Sequence, residues 1–402
     1  MLVRVELVVN EKRACNSFIQ LGSRIPWSRI DGSVPLDLSI EEVNVFAQLI
    51  ALAVAMGSIL EEISAATTFT SKEEEKDIEV LPGMVIKVDG TVVRNSDHAL
   101  PTTDINVSSS PIFVNNVASK DIVIDSEAGV WGRLFLPESV TGDHTNKLPL
   151  VVYYHGGGFC MGNAGGESPT YQSIRLCRTS NVVVISASYR LAPEDRLPVA
   201  FKDACTTMSW LQKQCKYQAG EAEAGDPWLM NHADFSRVFV MGQSAGGNIA
   251  HHVAVFKPID ELKPLIVQGI VPIVPFFSAE AISESEKNVS EDEILPLGKH
   301  HTFWRLALPL NATRDHPYCN PLSADAPKLA EVKFPRLLVI VGGKDPLYTR
   351  QIEYYDALKQ AGKEVELVEV PEGTHIFRKI PALEAENVRV DKAISDFIHK
   401  SE

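Results

Sequence analysis

The chain has 402 residues, 45% hydrophobic and 22% charged, which is enough apolar material to bury a large core. A formal net charge of −14, with no run of lysine and arginine against it, argues against nucleic acid and anionic membrane surfaces as partners. Six cysteines (Cys15, Cys160, Cys177, Cys205, Cys215 and Cys319) lie far apart with no C-x-x-C pair. That spacing excludes a disulfide framework and a zinc site and predicts reduced thiols in the cytoplasm, with the nucleus as a second compartment.

In chain order, residues 1–71 read as an N-terminal extension, partly disordered or lid-forming, ahead of one domain over 72–402. Within the extension, Val45 to Leu60 is an apolar run broken by Gln48 and Gly57 and flanked by Glu41-Glu42 and Glu61-Glu62. It is shorter than the ~20 residues that span a membrane, so the expectation is a helix packed on the domain or over a pocket. Its acidic flanks and late start also disagree with a signal peptide, and Met56 offers a second plausible start of translation.

Lys72 to Asp77 is a charged, solvated linker, and Gly83 to Arg94 alternates apolar and polar residues around Asp89-Gly90, the signal of a β-hairpin. Residues 95–118, rich in Ser, Asn, Pro and Thr, read as loop, and Lys120 to Asp125 and Val130 to Pro137 as antiparallel strands. Leu148 to Tyr154 is a continuous apolar run of the kind buried on both faces of a central sheet, and it ends in His155-Gly156-Gly157-Gly158-Phe159. Three glycines after a buried strand leave backbone N–H groups open to a ligand oxygen, as an oxyanion site requires. A flexible turn or a phosphate loop is the other reading, but the Gly-Lys-Ser/Thr of a Walker loop is missing.

Val182 to Ser188 is a further central strand and Asp195 to Lys216 a helix. Arg237 to Met241 is a strand that runs through Gly242-Gln243-Ser244-Ala245-Gly246 into a helix over Asn248 to Ala254, the context a G-x-S-x-G nucleophile elbow needs. Leu265 to Val274 is a strand, and residues 278–310 read as a helical cap insertion. Arg336 to Val341 is a strand ending in Gly342-Gly343-Lys344-Asp345; helix Tyr348 to Ala361, strand Val365 to Val370, a loop holding His375 and helix Ala382 to Lys400 complete the chain. This order predicts an α/β fold, a mostly parallel central sheet with helices on both faces. Ligands in such sheets bind at the carboxyl ends of the strands, where His155–Gly158, Ser244, Asp345 and His375 all fall.

A serine hydroxyl becomes a nucleophile when a base takes its proton and a carboxylate orients that base. Ser244, Asp345 and His375 supply those groups in the chain order of an α/β-hydrolase. Among the rivals, His251 and His252 lie on the helix leading away from the serine, and His300, His301 and His316 fall in the cap, at most touching substrate. Asp203, on the helix before the elbow strand, is expected to hold structure by hydrogen bonding.

Three motifs in the right order, His155 to Phe159, Tyr189-Arg190-Leu191-Ala192-Pro193-Glu194 and Gly242 to Asn248, resemble the hormone-sensitive-lipase-like α/β-hydrolases. The plant carboxylesterase branch is the nearest in likeness, through Tyr153 to Cys160, Asp226-Pro227-Trp228-Leu229 and Phe303 to Pro309. The resemblance runs from about Gly83 to the C-terminus. It implies a triad of Ser244, Asp345 and His375, an oxyanion hole from the N–H groups of Gly157, Gly158 and Ala245, and supporting roles for His155, Gly156, Gly242 and Gly246. It makes Arg190 and Glu194 structural, and it implies a small ester as substrate, plant-hormone or specialised-metabolite esters included, with no metal or organic cofactor.

The same branch contains gibberellin receptors, which keep the serine but replace the histidine and close an N-terminal lid over hormone, and hydroxyisoflavanone dehydratases. The presence of His375 favours a hydrolase over a receptor. Gln243 where the family often has Asp, and Ile376 where it often has Gly, alter the pocket without removing a reacting group. Because neutral imidazole is the working form of such a base, ester hydrolysis should fall as pH drops below about 6.5. A pH–rate profile checks this, and a rate unchanged down to about pH 4 removes His375 from the base role.

Overall fold

A computed structural model of the chain describes residues 3–5, 36–38, 78–81, 83–87, 91–94, 112–138, 147–220, 225–289 and 295–400. The chain divides into two units, Met1–Lys76 and Asp77–Glu402. In the first, β1 (Val3–Val5) pairs antiparallel with β2 (Leu36–Leu38). The apolar run Val45 to Leu60, Met56 and the charged run Lys72 to Asp77 lie outside the described residues.

The second unit opens on an antiparallel three-stranded sheet of β3 (Ile78–Leu81), β4 (Met84–Ile86) and β5 (Val92–Arg94). Met84 stands opposite Arg94 and Ile86 opposite Val92, the pairing expected of a hairpin about Asp89-Gly90. Residues 112–118 correct the reading of a loop from 95 to 118. They hold β6 (Ile112–Val114) and the start of β7 (Val117–Asp125), joined at Asn115-Asn116. Asn tolerates the left-handed backbone of a tight hairpin turn, and these two residues adopt φ of 49° and 63°. Strand β7 then pairs antiparallel with β8 (Val130–Pro137).

The nine-stranded main sheet has the order β14 (Val365–Val370), β13 (Arg336–Gly342), β12 (Val267–Ile273), β11 (Ala233–Gln243), β9 (Leu148–Tyr154), β10 (Val183–Ala187), β8, β7, β6. From β14 to β10 every neighbouring pair is parallel. Strand alternation sends Leu150, Val152 and Tyr154 to one face and Val151 and Tyr153 to the other, and both faces are buried. Helices α1 (Glu167–Ser180) and α8 (Glu384–His399) cover the second face with Ile174, Leu176, Val390, Ile394 and Phe397. Helices α2 (Val199–Gln218), α4 (Ala245–Phe256) and α7 (Tyr348–Gln360) cover the first with Phe201, Met208, Ile249, Tyr354 and Leu358.

Helix α2 begins at Val199, four residues after the expected start, because a residue before proline avoids the helical region and Leu197 instead donates its N–H to the Ala307 carbonyl at 2.8 Å. Two helices escaped the sequence reading: α1 and the short α3 (Pro227–His232), which starts on Asp226 as N-cap with proline next. In the cap stretch lie α5 (Glu284–Lys287), opened by the Ser283–Glu286 capping box, and α6 (Leu297–Ala307).

Asp391 of α8 ties the last helix to the sheet's second face. It pairs with the buried guanidinium of Arg378 at 2.6 Å and through its other oxygen with Arg175 of α1. Removing one member of a buried pair strands the other charge, so Asp391→Ala should lower unfolding free energy by about 3–5 kcal/mol. Urea denaturation checks this as a lower midpoint at unchanged slope. An unmoved midpoint would contradict the buried network.

Candidate active site

Ser244 leaves β11 at Gln243 and enters α4 at Ala245 with φ 56° and ψ −118°, a left-handed conformation that a non-glycine residue holds only under external constraint. The constraint is visible on both sides of it. Its N–H donates to the Ile273 carbonyl at 2.9 Å, and its carbonyl accepts from Asn248 N (3.0 Å) and Phe276 N (2.9 Å). The turn closes because Gly242 and Gly246 lack side chains: a Cβ on Gly242 would lie 2.2 Å from the Gly246 carbonyl oxygen, and one on Gly246 1.9 Å from that of Tyr154.

Sequence-distant loops bring the partners. His375, past the end of β14, lies with Nε2 2.8 Å from Ser244 Oγ and Nδ1 2.8 Å from Asp345 Oδ2. A carboxylate only accepts, so Nδ1 carries the proton and Nε2 is left to accept the serine hydroxyl. Asp345, just beyond β13, is itself fully engaged: Leu347 N donates to Oδ1 and Gln351 Nε2 to Oδ2, each at 2.9 Å. Gln351 was missed from sequence, and no motif marks it; only the packing of α7 beside the Asp345 loop brings it there. All three of Ser244, His375 and Asp345 are buried, at 8%, 8% and 2% exposure.

The glycine loop lies against the same turn. A Cβ on Gly156 would stand 3.2 Å from Ser244 Cβ. Gly157 (φ 114°) and Gly158 (φ 59°) turn the chain so that Cys160 N and Met161 N both return to the Gly157 carbonyl at 3.0 Å. The N–H groups of Gly157 and Gly158 have no hydrogen-bond partner among the described residues. Ala245 N–H opens α4 and belongs to the first turn, which has no acceptor within the helix. His155 braces the loop: its Nδ1 lies 2.7 Å from the Gly156 carbonyl, its ring stacks on Tyr189 at 4.3 Å, and burial pushes its pKa down to about 4.

The rival residues sit elsewhere. His251 bonds the Tyr354 hydroxyl at 2.9 Å and His252 the Asn248 carbonyl at 3.0 Å, and burial lowers both imidazole pKa values. Asp203 receives the Arg190 backbone N–H at 2.9 Å and its guanidinium at 2.7 Å. His300 is buried and accepts from Trp304 Nε1 at 3.2 Å; His316 accepts from Tyr318 N, also at 3.2 Å. The α6 residue Phe303 covers Gly158, whose Cβ would meet its ring at 2.3 Å, and Phe276 stacks on Trp304 at 4.7 Å with His375 at 6.5 Å on its other contacts. A cavity of about 350 Å³ is lined by Arg196, His301, Trp304, Arg305 and Arg314, and neither Ser244 nor His375 lines it.

Residues 151–379 match the family described by its alpha/beta hydrolase fold, and the chain belongs to that family. Among curated relatives, Carboxylesterase 20 of Arabidopsis thaliana is 36% identical over 72% of this chain and 86% of its own length. The 2-hydroxyisoflavanone dehydratase of Glycyrrhiza echinata is 33% identical over 78% of this chain and 93% of its own. Among solved structures, an esterase of Pyrobaculum calidifontis superposes with a TM-score of 0.56 at 27% identity, covering 69% of this chain and 84% of that one.

The elbow geometry makes a graded prediction. Gly246→Ala drives a Cβ into the backbone of Tyr154 and His155 and should slow fluorophosphonate labelling of Ser244 by about 10²-fold, the cost of displacing a reacting group by roughly an ångström. Gly156→Ala, whose nearest neighbours stand at 3.1 and 3.2 Å, should be much milder. Equal rates for the two variants would contradict the steric account.

Proposed function

We propose that the chain is a serine carboxylesterase that hydrolyses small carboxylic esters through an acyl-enzyme. The observation that carries this reading is the continuous hydrogen-bonded line from Ser244 Oγ through His375 to Asp345, lying beside an uncommitted glycine backbone. His375 Nε2 takes the Ser244 proton as Oγ attacks the ester carbonyl, and the Asp345 carboxylate stabilises the imidazolium that forms. The N–H groups of Gly157, Gly158 and Ala245 receive the oxygen that becomes negative in the tetrahedral intermediate. His375 then protonates the departing alcohol, and water, activated by the same imidazole, releases the acid. Every proton and charge in this cycle has a named residue, so it calls for no metal or organic cofactor.

Helix α6, with Phe303 over Gly158, is the part of the 278–310 stretch that walls this site beside the glycine loop in this reading. The esters of plant hormones and specialised metabolites fall within the substrate class. Five described cysteines are free thiols, which supports a reducing compartment, the cytoplasm.

Hydrolysis of p-nitrophenyl acetate by the purified chain tests the proposal. Ser244→Ala and His375→Ala should each lower kcat by about 10⁴–10⁶-fold, and Asp345→Asn by about 10⁴-fold. Turnover that survives Ser244→Ala overturns the reading. A folded wild type without turnover also overturns it, and water elimination, the activity named for the Glycyrrhiza relative, becomes the next assay.

A further inference from the structure

Arg94 stands outside every motif of the chain, yet its guanidinium is among the most heavily bonded in the second unit. It is the last residue of β5, and its side chain is 3% exposed. Its Nε and Nη2 grip the Glu194 carboxylate at 3.2 and 2.6 Å, Nη2 also donates to the Ala192 carbonyl at 2.7 Å, and Nη1 donates to the Cys160 carbonyl. Nη1 further lies 3.0 Å from the Met84 sulfur, opposite Arg94 in the hairpin.

Those acceptors are the two walls of one turn. Cys160 closes the glycine loop by donating its N–H to the Gly157 carbonyl at 3.0 Å, and Ala192 donates its N–H to the Phe159 carbonyl at 2.9 Å. Between them Gly157, Gly158 and Phe159 all hold positive φ, at 114°, 59° and 64°. For Phe159 that backbone is strained and persists only where the surroundings over-determine it. A single buried cation supplies much of that determination. A planar guanidinium offers donors in several fixed directions at once, which a lysine ammonium does not reproduce.

We propose that Arg94 is a positioning residue for ester hydrolysis: through the Cys160 and Ala192 carbonyls, and with Glu194 as counter-ion, it holds the Gly156–Cys160 turn in the shape that aims the Gly157 and Gly158 N–H groups at the oxyanion. This rests on the esterase reading above. Arg94 touches no reacting atom. It acts on the transition states and the tetrahedral intermediate between them, where the carbonyl oxygen carries negative charge, and not on the bound ester.

The test compares wild type, Arg94→Met, Arg94→Lys and Glu194→Gln, each with active sites titrated so that rates refer to folded enzyme. The readouts are kcat and KM on p-nitrophenyl acetate, inhibition by an aryl trifluoromethyl ketone, whose adduct with serine carries an oxyanion, and the pH–rate profile. Arg94→Met should lower kcat by about 10²-fold, the loss typical of one oxyanion donor, with KM changed less than about threefold. Ketone affinity should weaken by the same factor, and the acid limb of the profile should stay in place because His375 and Asp345 are untouched. Arg94→Lys should fall between, restoring the charge without the fork, and Glu194→Gln, which keeps an acceptor oxygen, supplies a milder second variant.

Wild-type kcat and ketone affinity in Arg94→Met, or in Glu194→Gln should Arg94→Met not fold, overturn the proposal. So does a loss that vanishes on titrating active sites, or a displaced acid limb. A wild type that fails to turn over, or a Ser244→Ala variant that succeeds, overturns the esterase reading itself and this proposal with it.

Discussion

The close approach of β11 to β9 is the constraint on which the rest depends. The two strands are parallel neighbours with Gly242 opposite Tyr154, so the turn after one strand must pass the turn after the other almost in backbone contact. Gly246 makes that passage possible, since nothing larger fits against the Tyr154 and His155 carbonyls. Two things follow from one packing event: the serine is forced into its left-handed backbone, and the glycine loop is set beside it. The proposed nucleophile and the proposed donors for its oxyanion thus share a single geometric cause.

Burial then sorts the histidines into roles. Desolvation drives the pKa of His155 and His252 down to about 4 and those of His251 and His300 well below the ordinary value. Each works as an uncharged packing and hydrogen-bonding ring: His155 stacks on Tyr189, His252 on Phe201 at 4.0 Å, and His300 accepts from Trp304. His375 differs by its neighbours, a carboxylate on one ring nitrogen and a hydroxyl on the other. The carboxylate is in turn held by Leu347 N and Gln351, which leaves it little freedom to swing away.

Charges away from the reacting atoms hold loops instead. Asp203 clamps Arg190, Glu194 clamps Arg94, and Asp391 joins two arginines from different helices. Arg94–Glu194 and Arg175–Asp391 join segments 100 and 216 positions apart, Arg190–Asp203 and Arg378–Asp391 segments 13 apart, and each pair is largely buried on at least one side. A pair of this kind adds little net stability over apolar packing but is costly to break singly, so it specifies one arrangement of the loops over others.

Much of this was legible in the residues. The glycine-flanked serine, the bare glycine loop and the strand-ending aspartate and histidine carry their chemistry in local sequence, because a tight turn and a buried strand leave compositional marks within a few residues. The alternation of strands and helices likewise predicts the parallel sheet. The hairpin at Asn115-Asn116 and helix α1 were lost, the first because Asn serves both loops and tight turns, the second because its buried face, at helical spacing through Pro169, Gln172, Ser173, Leu176, Cys177 and Ser180, is largely polar or weakly apolar and so leaves no hydrophobic stripe. Phe303 belonged to a stretch that carries the family resemblance, but its place over Gly158, like Gln351 behind Asp345 and Arg94 behind the glycine loop, had no local signal. The sequence by itself determined the fold class and the proposed reacting groups, since those follow from patterns of adjacent residues. Only the tertiary structure decided which side chains position them, since a hydrogen bond between residues 66 or 131 positions apart is a property of packing and leaves no trace in either segment alone.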